Sequence, residues 1–336
     1  MKAYEIQGSF GMDNLKCVER PDPAPGHGQV LVRMKAVSLN YRDLMMVRGH
    51  YNPRQPLPLV PCSDGVGEVV AVGEGVQRVG VGDRVTTVFS QTWISGRPTA
   101  EKLSGTLGGP IDGTLSEMMV LDAEGVIPLP KDLSDVEGAT LPCAALTAWS
   151  AMAELGDVSA GDTVLVQGTG GVSIFALQFA LMLGARVIAT SSNDAKLDRL
   201  RSMGAWATVN YADDPQWGKT VRRMTDGRGV DHIVEVGGAG TLAQSLKAAA
   251  VGGTISVIGV LSGISSEFNI IPLLMQHLKL QGILVGSREG FERMNRAIEG
   301  HELKPVIDRV FDFDDVPEAF AYMASGAHFG KVCIGY

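Results

Sequence analysis

Paired cysteines, long apolar runs and clusters of basic residues are all missing from this chain, and each absence closes off a class of function. The four cysteines, Cys17, Cys62, Cys143 and Cys333, stand far apart with no paired spacing. Neither a disulfide framework nor a zinc ribbon is indicated, and a reducing, cytoplasmic location is expected. The longest apolar stretch, Val172 to Leu183, is too short to span a bilayer, and the first residues have no apolar core, so neither export nor membrane anchoring is expected. The formal net charge is −8 and no local group of Lys and Arg offsets it, which speaks against a nucleic-acid partner. Internal repeats and low-complexity segments are also missing.

What is present is material for two cores. The 336 residues exceed the usual single-domain size, and a hydrophobic fraction of 45% can fill both. The first ~125 residues read as short β segments bounded by Gly, Pro or Asp: Val30 to Leu39, Gly67 to Val72, Arg84 to Phe89 and Leu115 to Leu121. From about Asp135 the pattern changes to alternating helix and strand. A helix over Leu141 to Leu155 is followed by strands at Thr163 to Gln167, Arg186 to Thr190, Ala207 to Asn210, Asp231 to Val236 and Thr254 to Gly259. Helices at Gly171 to Leu183, Ala195 to Met203 and Leu242 to Ala249 lie between them. Such alternation predicts a doubly wound α/β parallel sheet of about six strands. A helix over Phe291 to Gly300 precedes strand-like Pro305 to Phe313 and Lys331 to Ile334, which can return to the β unit.

The run Gly168-Thr169-Gly170-Gly171-Val172-Ser173 joins the strand at Thr163 to the helix at Gly171. A dinucleotide pyrophosphate must come close to backbone N–H groups at a helix start, and only very small side chains permit it. Gly168 is read as the tight turn and Gly170 as the close contact. Ser173 replaces the usual third glycine and is small enough for the helix to pack near the strand, so Ser173→Ala should be tolerated and Ser173→Leu should not. An NAD-preferring site places Asp or Glu about 20 residues on, at the end of the second strand. This chain has Thr190, Ser191 and Ser192 there, with Lys196 close behind, which favours NADP(H). Asp194 follows the strand and reads as a helix N-cap. Gly237-Gly238 and Gly259-Val260, at the carboxyl ends of later strands, are further cofactor candidates or plain turns.

Taken together, the β-rich N-terminal unit, the GTGGVS turn and the tail Phe329-Gly330-Lys331-Val332-Cys333-Ile334 resemble the medium-chain dehydrogenase/reductase superfamily over the whole chain, closest to its zinc-free quinone oxidoreductase-like members. Supporting stretches are Leu39 to Leu44 (LNYRDL), Arg48 to Tyr51 (RGHY), Asp64 to Val70 (DGVGEVV) and Gly82 to Val85 (GDRV). The resemblance implies a mainly β GroES-like catalytic domain over 1–124, a Rossmann domain over 125–295, and a return to the catalytic domain over 296–336. It implies hydride transfer involving a nicotinamide, a small-molecule substrate and a homodimer. It puts Lys196 and Tyr211 beside the 2′-phosphate with Ser191 or Ser192 as a further donor, Val285 and Ser287 at the carboxamide, and Lys331 near the cofactor.

Zinc-dependent members use a Cys, a Gly-His-Glu run and a later Cys or Asp. The counterparts here are Asn40, Cys62-Ser63-Asp64 and Cys143, so two of three positions lack ligand chemistry and no zinc is expected. The segment Ser90 to Asp112 has none of the cysteines of a structural zinc loop; an unusual Cys143/Asp64 site is the alternative. Without a Lewis acid, polarising a carbonyl requires hydrogen-bond donors and a proton source. Candidates are Asn40, Tyr41, Asp43 and Tyr51, the resemblance setting Asn40 and Tyr41 over the nicotinamide. Asp43 has an ion pair with Arg42 as its alternative, and Tyr51 has packing under Pro53 to Pro61. Trp93 and Ile94 either line an apolar pocket or cover a core edge. The leading expectation is an NADPH-dependent reductase of quinones or α,β-unsaturated carbonyls; the alternatives are an alcohol dehydrogenase and a non-catalytic NADPH-binding protein.

Overall fold

A computed structural model describes all residues 1–336, which form two compact units, residues 1–146 with 285–336, and residues 147–284. In the first unit β1 (Lys2–Ile6) and β2 (Leu15–Glu19) make an antiparallel pair that the sequence pattern had not suggested. Then come β3 (Gln29–Ser38), α1 (Tyr41–Val47), β4 (Asp64–Val72), β5 (Arg84–Thr87), β6 (Met118–Asp122) and β7 (Val126–Pro128). A helical run follows: α2 (Asp135–Gly138), a π turn at Leu141–Ala145, α3 (Leu146–Trp149) and a second π turn at Ser150–Glu154. The single helix expected over Leu141 to Leu155 is therefore twice overwide.

In the second unit the order is β8 (Thr163–Gln167), α4 (Gly171–Met182), β9 (Arg186–Ser191), α5 (Asp194–Ser202), β10 (Ala207–Asn210), α6 (Trp217–Met224), β11 (Val230–Glu235), α7 (Leu242–Ala248), β12 (Ala249–Val257), α8 (Ile271–Met275) and β13 (Lys279–Gly282). Its six strands lie in the order β10-β9-β8-β11-β12-β13, all parallel. This is the doubly wound Rossmann arrangement, with its switch point between β8 and β11. β8 is buried at every residue because helices cover both faces, which explains its unbroken apolar run. Leu165, Ile188, Val209, Val221, Ile233, Leu246 and Ile255 form its core.

The tail contributes α9 (Arg288–Gly300), β14 (Ile307–Asp312), α10 (Val316–Ala324) and β15 (Lys331–Gly335). β15 pairs with β3, completing the GroES-like sheet β14-β15-β3-β4-β5-β7, with β6 also on β3. The first unit extends further at both ends than the boundaries expected at 124/125 and 295/296. β7 pairs with β5, which holds 126–128 in the first sheet, and the N–H groups of Arg288 and Glu289 donate to the carbonyls of Trp93 and Ile94 at 3.0 and 2.9 Å. Trp93 is buried in this unit, its Nε1–H donating to Gly96 O at 2.9 Å.

Candidate functional site

In the parallel-sheet unit, Gly168 leaves β8 at φ +72°, a left-handed conformation that favours glycine, and its N–H donates to Thr190 O at 2.8 Å. A Cβ at Gly168 or Gly170 would meet no atom within 4 Å, so open space fronts the turn. Thr169 is buried, and Gly171 and Val172 open α4, whose N-cap Gly170 offers no side chain; the first-turn N–H groups are available to an anion. Ser173 does more than stay small. Its Oγ donates to Gln167 O at 2.6 Å in a buried setting, closing the turn from below, so the expectation that Ser173→Ala is harmless is corrected.

Register gathers the residues assigned to the 2′-phosphate. Asn210 pairs with Ser191, and Tyr211 N–H donates to Ser191 O at 3.1 Å, bringing Ser191, Ser192 and Tyr211 to the carboxyl ends of β9 and β10. Half-buried Lys196 lies on the first turn of α5. Asp194 is not the cap: Asn193 is, its Oδ1 accepting from Lys196 N at 3.1 Å, while Asp194 begins the helix and accepts from Asn210 Nδ2 at 3.0 Å. Asn193 is the last residue with extended backbone before α5, which is where a cap must sit.

Gly237 and Gly238 follow β11, and both N–H groups donate to Glu235 Oε1 at 2.9 Å. Glu235 is fully buried and also accepts from Thr241 Oγ1, Ser245 Oγ and Gln167 Nε2. Sequence reasoning missed it; a carboxylate ending an apolar strand was the available signal. At Gly259 a Cβ would stand 2.3 Å from Val236 O, so backbone approach explains that glycine without a ligand; Val260 beside it is exposed. Val285 and Ser287 belong to the first unit. Val285 takes φ +54°, strained for a β-branched residue, and Ser287 caps α9, its Oγ accepting from Gly290 N at 3.1 Å.

The other candidates meet in the first unit. Cys333 on β15 pairs with Ser38 on β3, and Ser38 pairs with Asp64 on β4. Antiparallel register then sets Asn40 opposite Lys331: Leu39 N–H donates to Val332 O at 3.0 Å, and Lys331 Nζ donates to Leu39 O at 2.7 Å and Asn40 Oδ1 at 2.6 Å. Asn40 caps α1, where Asp43 Oδ2 accepts from Asn40 N at 2.8 Å. Arg42 lies 3.5 Å from Asp43 Oδ1, donates to Leu107 O and Gly109 O, and sits between the Tyr51 and Phe89 rings. The Arg42–Asp43 pair is thus formed, and the Tyr51 ring lies against Arg42. Tyr41 and Tyr51 are 44% and 41% exposed.

Two cations and two carboxylates balance in this buried cluster. Burial pushes Asp43 up to about 6, opposed by Arg42, and pushes Asp64 up, opposed by Lys331. Asp64 accepts from Ser63 Oγ at 2.7 Å and Cys143 N at 3.1 Å. Burial also raises the thiols of Cys62 and Cys143. The donor set does not fit a catalytic zinc. Asn40 Oδ1 faces an ammonium, Ser63 offers a neutral hydroxyl, Cys143 is a half-buried thiol whose pKa is raised, and no group of three or more His, Cys, Asp or Glu could hold a metal ion. No helix is long and apolar enough to cross a membrane.

Known proteins match both units. The alcohol dehydrogenase GroES-like domain family matches residues 26–131 and the zinc-binding dehydrogenase family residues 171–300. A zinc-type alcohol dehydrogenase-like protein of Schizosaccharomyces pombe is 44% identical over 96% of each chain. A solved NAD-dependent alcohol dehydrogenase is 35% identical, with TM-score 0.91 over 100% of both chains. Two mycobacterial structures, one complexed with NADPH and one a quinone oxidoreductase, are 27% and 28% identical, with TM-scores 0.84 and 0.82 over 100% of both chains. The chain belongs to the medium-chain dehydrogenase/reductase superfamily and is an oxidoreductase of the alcohol dehydrogenase/quinone oxidoreductase type.

Proposed function

We propose that this protein reduces a quinone or an α,β-unsaturated carbonyl with NADPH and without a metal. The observation that carries the reading is that an amide bonded by the Lys331 ammonium, a serine hydroxyl and a protonated thiol stand at the positions where metal ligands would be needed. The bound dinucleotide supplies the hydride. The chain's own task is to meet the negative charge that grows on the acceptor oxygen and to deliver a proton. Asn40 supplies an amide donor and Tyr41 an exposed phenol; Tyr51, also exposed, lies against Arg42 of α1. Asp43, fully buried, acts by positioning Asn40 and Arg42. Tyr41→Phe should lower kcat about 100-fold with NADPH affinity intact if the phenol is the proton donor.

The absence of a carboxylate at the end of β9 and the gathering of Ser191, Ser192, Lys196 and Tyr211 support NADPH. A homodimer is supported by β13, an outer strand of the parallel sheet, and by exposed Ile264, Ile270, Ile271, Leu274 and Met275 in the segment before it; light scattering of the purified protein tests this. The decisive assay is NADPH and NADH consumption by metal-stripped protein with ortho- and para-quinones, enones, enoyl thioesters and aldehydes. Turnover of a quinone or enone with NADPH is the expected result. The zinc-type name of the S. pombe relative favours alcohol dehydrogenation as the second reading; acceptors inert until zinc is restored would establish it instead.

A further inference from the structure

We propose that Glu235 is a positioning residue of the dinucleotide site: it fastens the glycine turn after β8 to the turn after β11, so that both walls of the switch-point crevice meet a nicotinamide dinucleotide as one piece. This rests on the chain binding such a dinucleotide. Glu235 is fully buried and is the last residue of β11. Its Oε1 accepts from the N–H groups of Gly237 and Gly238, both at 2.9 Å, and from Thr241 Oγ1. Its Oε2 accepts from Ser245 Oγ and, at 2.9 Å, from Gln167 Nε2. A carboxylate only accepts, so it can take all five donors.

Bracing α7 against the sheet would need only Thr241 and Ser245, whereas the bond to Gln167 reaches another strand. Gln167 ends β8; its carbonyl accepts from Ser173 Oγ of α4 at 2.6 Å, and its side-chain amide donates to Glu235 and to Ser245 Oγ, the latter at 2.7 Å. The next residue, Gly168, donates to Thr190 O on β9. On the far side Gly237 O accepts from the N–H and the Oγ of Ser262, both at 2.7 Å, in the segment after β12. The carboxyl ends of β9, β8, β11 and β12 thus belong to one hydrogen-bonded floor with Glu235 at its centre. There is little slack in it: Gly238 has φ +81°, and a Cβ at Gly237 would stand 2.2 Å from Thr241 Oγ1. A dinucleotide lies across this edge of the sheet, and walls fixed beforehand lower the cost of binding it. Ser191, Ser192 and Tyr211 stand at the ends of β9 and β10, on the other side of β8, so Glu235 acts on the part that NADPH and NADH share.

Fluorescence titration with NADPH and NADH, together with hydrogen exchange of the dinucleotide-free protein, tests this. Glu235→Ala strips five donors of their acceptor; if it does not fold, Gln167→Met, which cuts only the link to β8, carries the test alone. Gln167→Met should raise the Kd of both dinucleotides by one factor, about tenfold. It should also speed exchange of the Gly237 and Gly238 amides about tenfold, although both bond Glu235 rather than Gln167. Added to Glu235→Ala, it should raise Kd no further. Wild-type Kd values beside a lowered unfolding midpoint would make Glu235 a brace for α7 alone and overturn the proposal. A loss confined to NADPH, or unchanged exchange at Gly237 and Gly238, overturns it too. A wild type that binds neither dinucleotide sinks the nicotinamide reading, whereas the exchange result decides the link between the strands with no dinucleotide present.

Discussion

The glycine turn after β8 and the charge cluster beside β3 are two sites built on opposite principles. The first is made of backbone: a left-handed glycine, an uncapped helix start and open space in front of both. The second is made of side chains, Asn40, Arg42, Asp43, Ser63, Asp64 and Lys331 among them, brought together by strand register and buried with two cations against two carboxylates. A backbone site tolerates exchange of most side chains around it. A charge cluster tolerates almost none, since removing one partner leaves another uncompensated in a poorly solvated place.

The largest effect should come from the cluster. Asp64→Ala leaves Lys331 without its opposing carboxylate and exposes the Cys143 N–H, and should cost roughly 3–5 kcal/mol of stability in urea unfolding. A loss below 1 kcal/mol would show that the balance of charge matters little. Next, Lys196→Ala in the parallel-sheet unit should weaken NADPH by roughly 1.5–3 kcal/mol and leave NADH nearly unchanged. Equal loss for both dinucleotides would remove Lys196 from the 2′-phosphate site.

The pH dependence comes third. Asp43 keeps its proton in the fold up to about pH 6, whereas the unfolded chain releases it near 3.8. The folded state therefore binds more protons between those values, and Asp43's contribution makes stability fall as pH rises through that window. Asp43→Asn should flatten this slope in urea titrations at pH 4, 5 and 6; an unaltered slope would assign the dependence to other groups. The smallest effect belongs to the turn. Ser173→Ala should cost about 1 kcal/mol, the lost bond to Gln167 O, while Ser173→Leu should abolish NADPH binding measured by fluorescence.

Local signals carried the turn and the alternation well, and failed where pairing partners lie far away in the chain. The apolar run of β8, the glycines and the missing acid after β9 are short-range features. The β1–β2 pair and β13 were missed because five-residue or four-residue strands with mixed burial lack a clear period. α10 did carry a signal, with Val316, Ala319, Phe320 and Met323 buried at helical spacing. Asp194 reads locally as a cap, but Asn193 supplies it, a one-residue displacement set by where β9 ends.

By itself the sequence determined the two-unit plan, the glycine turn between β8 and α4 and the residue types at positions 40, 63 and 143, because these rest on residue type and close spacing. Only the tertiary structure decided that Lys331 meets Asn40 across 291 positions, that Glu235 gathers five donors, and that Asp43 and Asp64 are buried. The physical reason is register: pairing β15 with β3 and β3 with β4 decides which side chains share a face, and no local pattern encodes that choice.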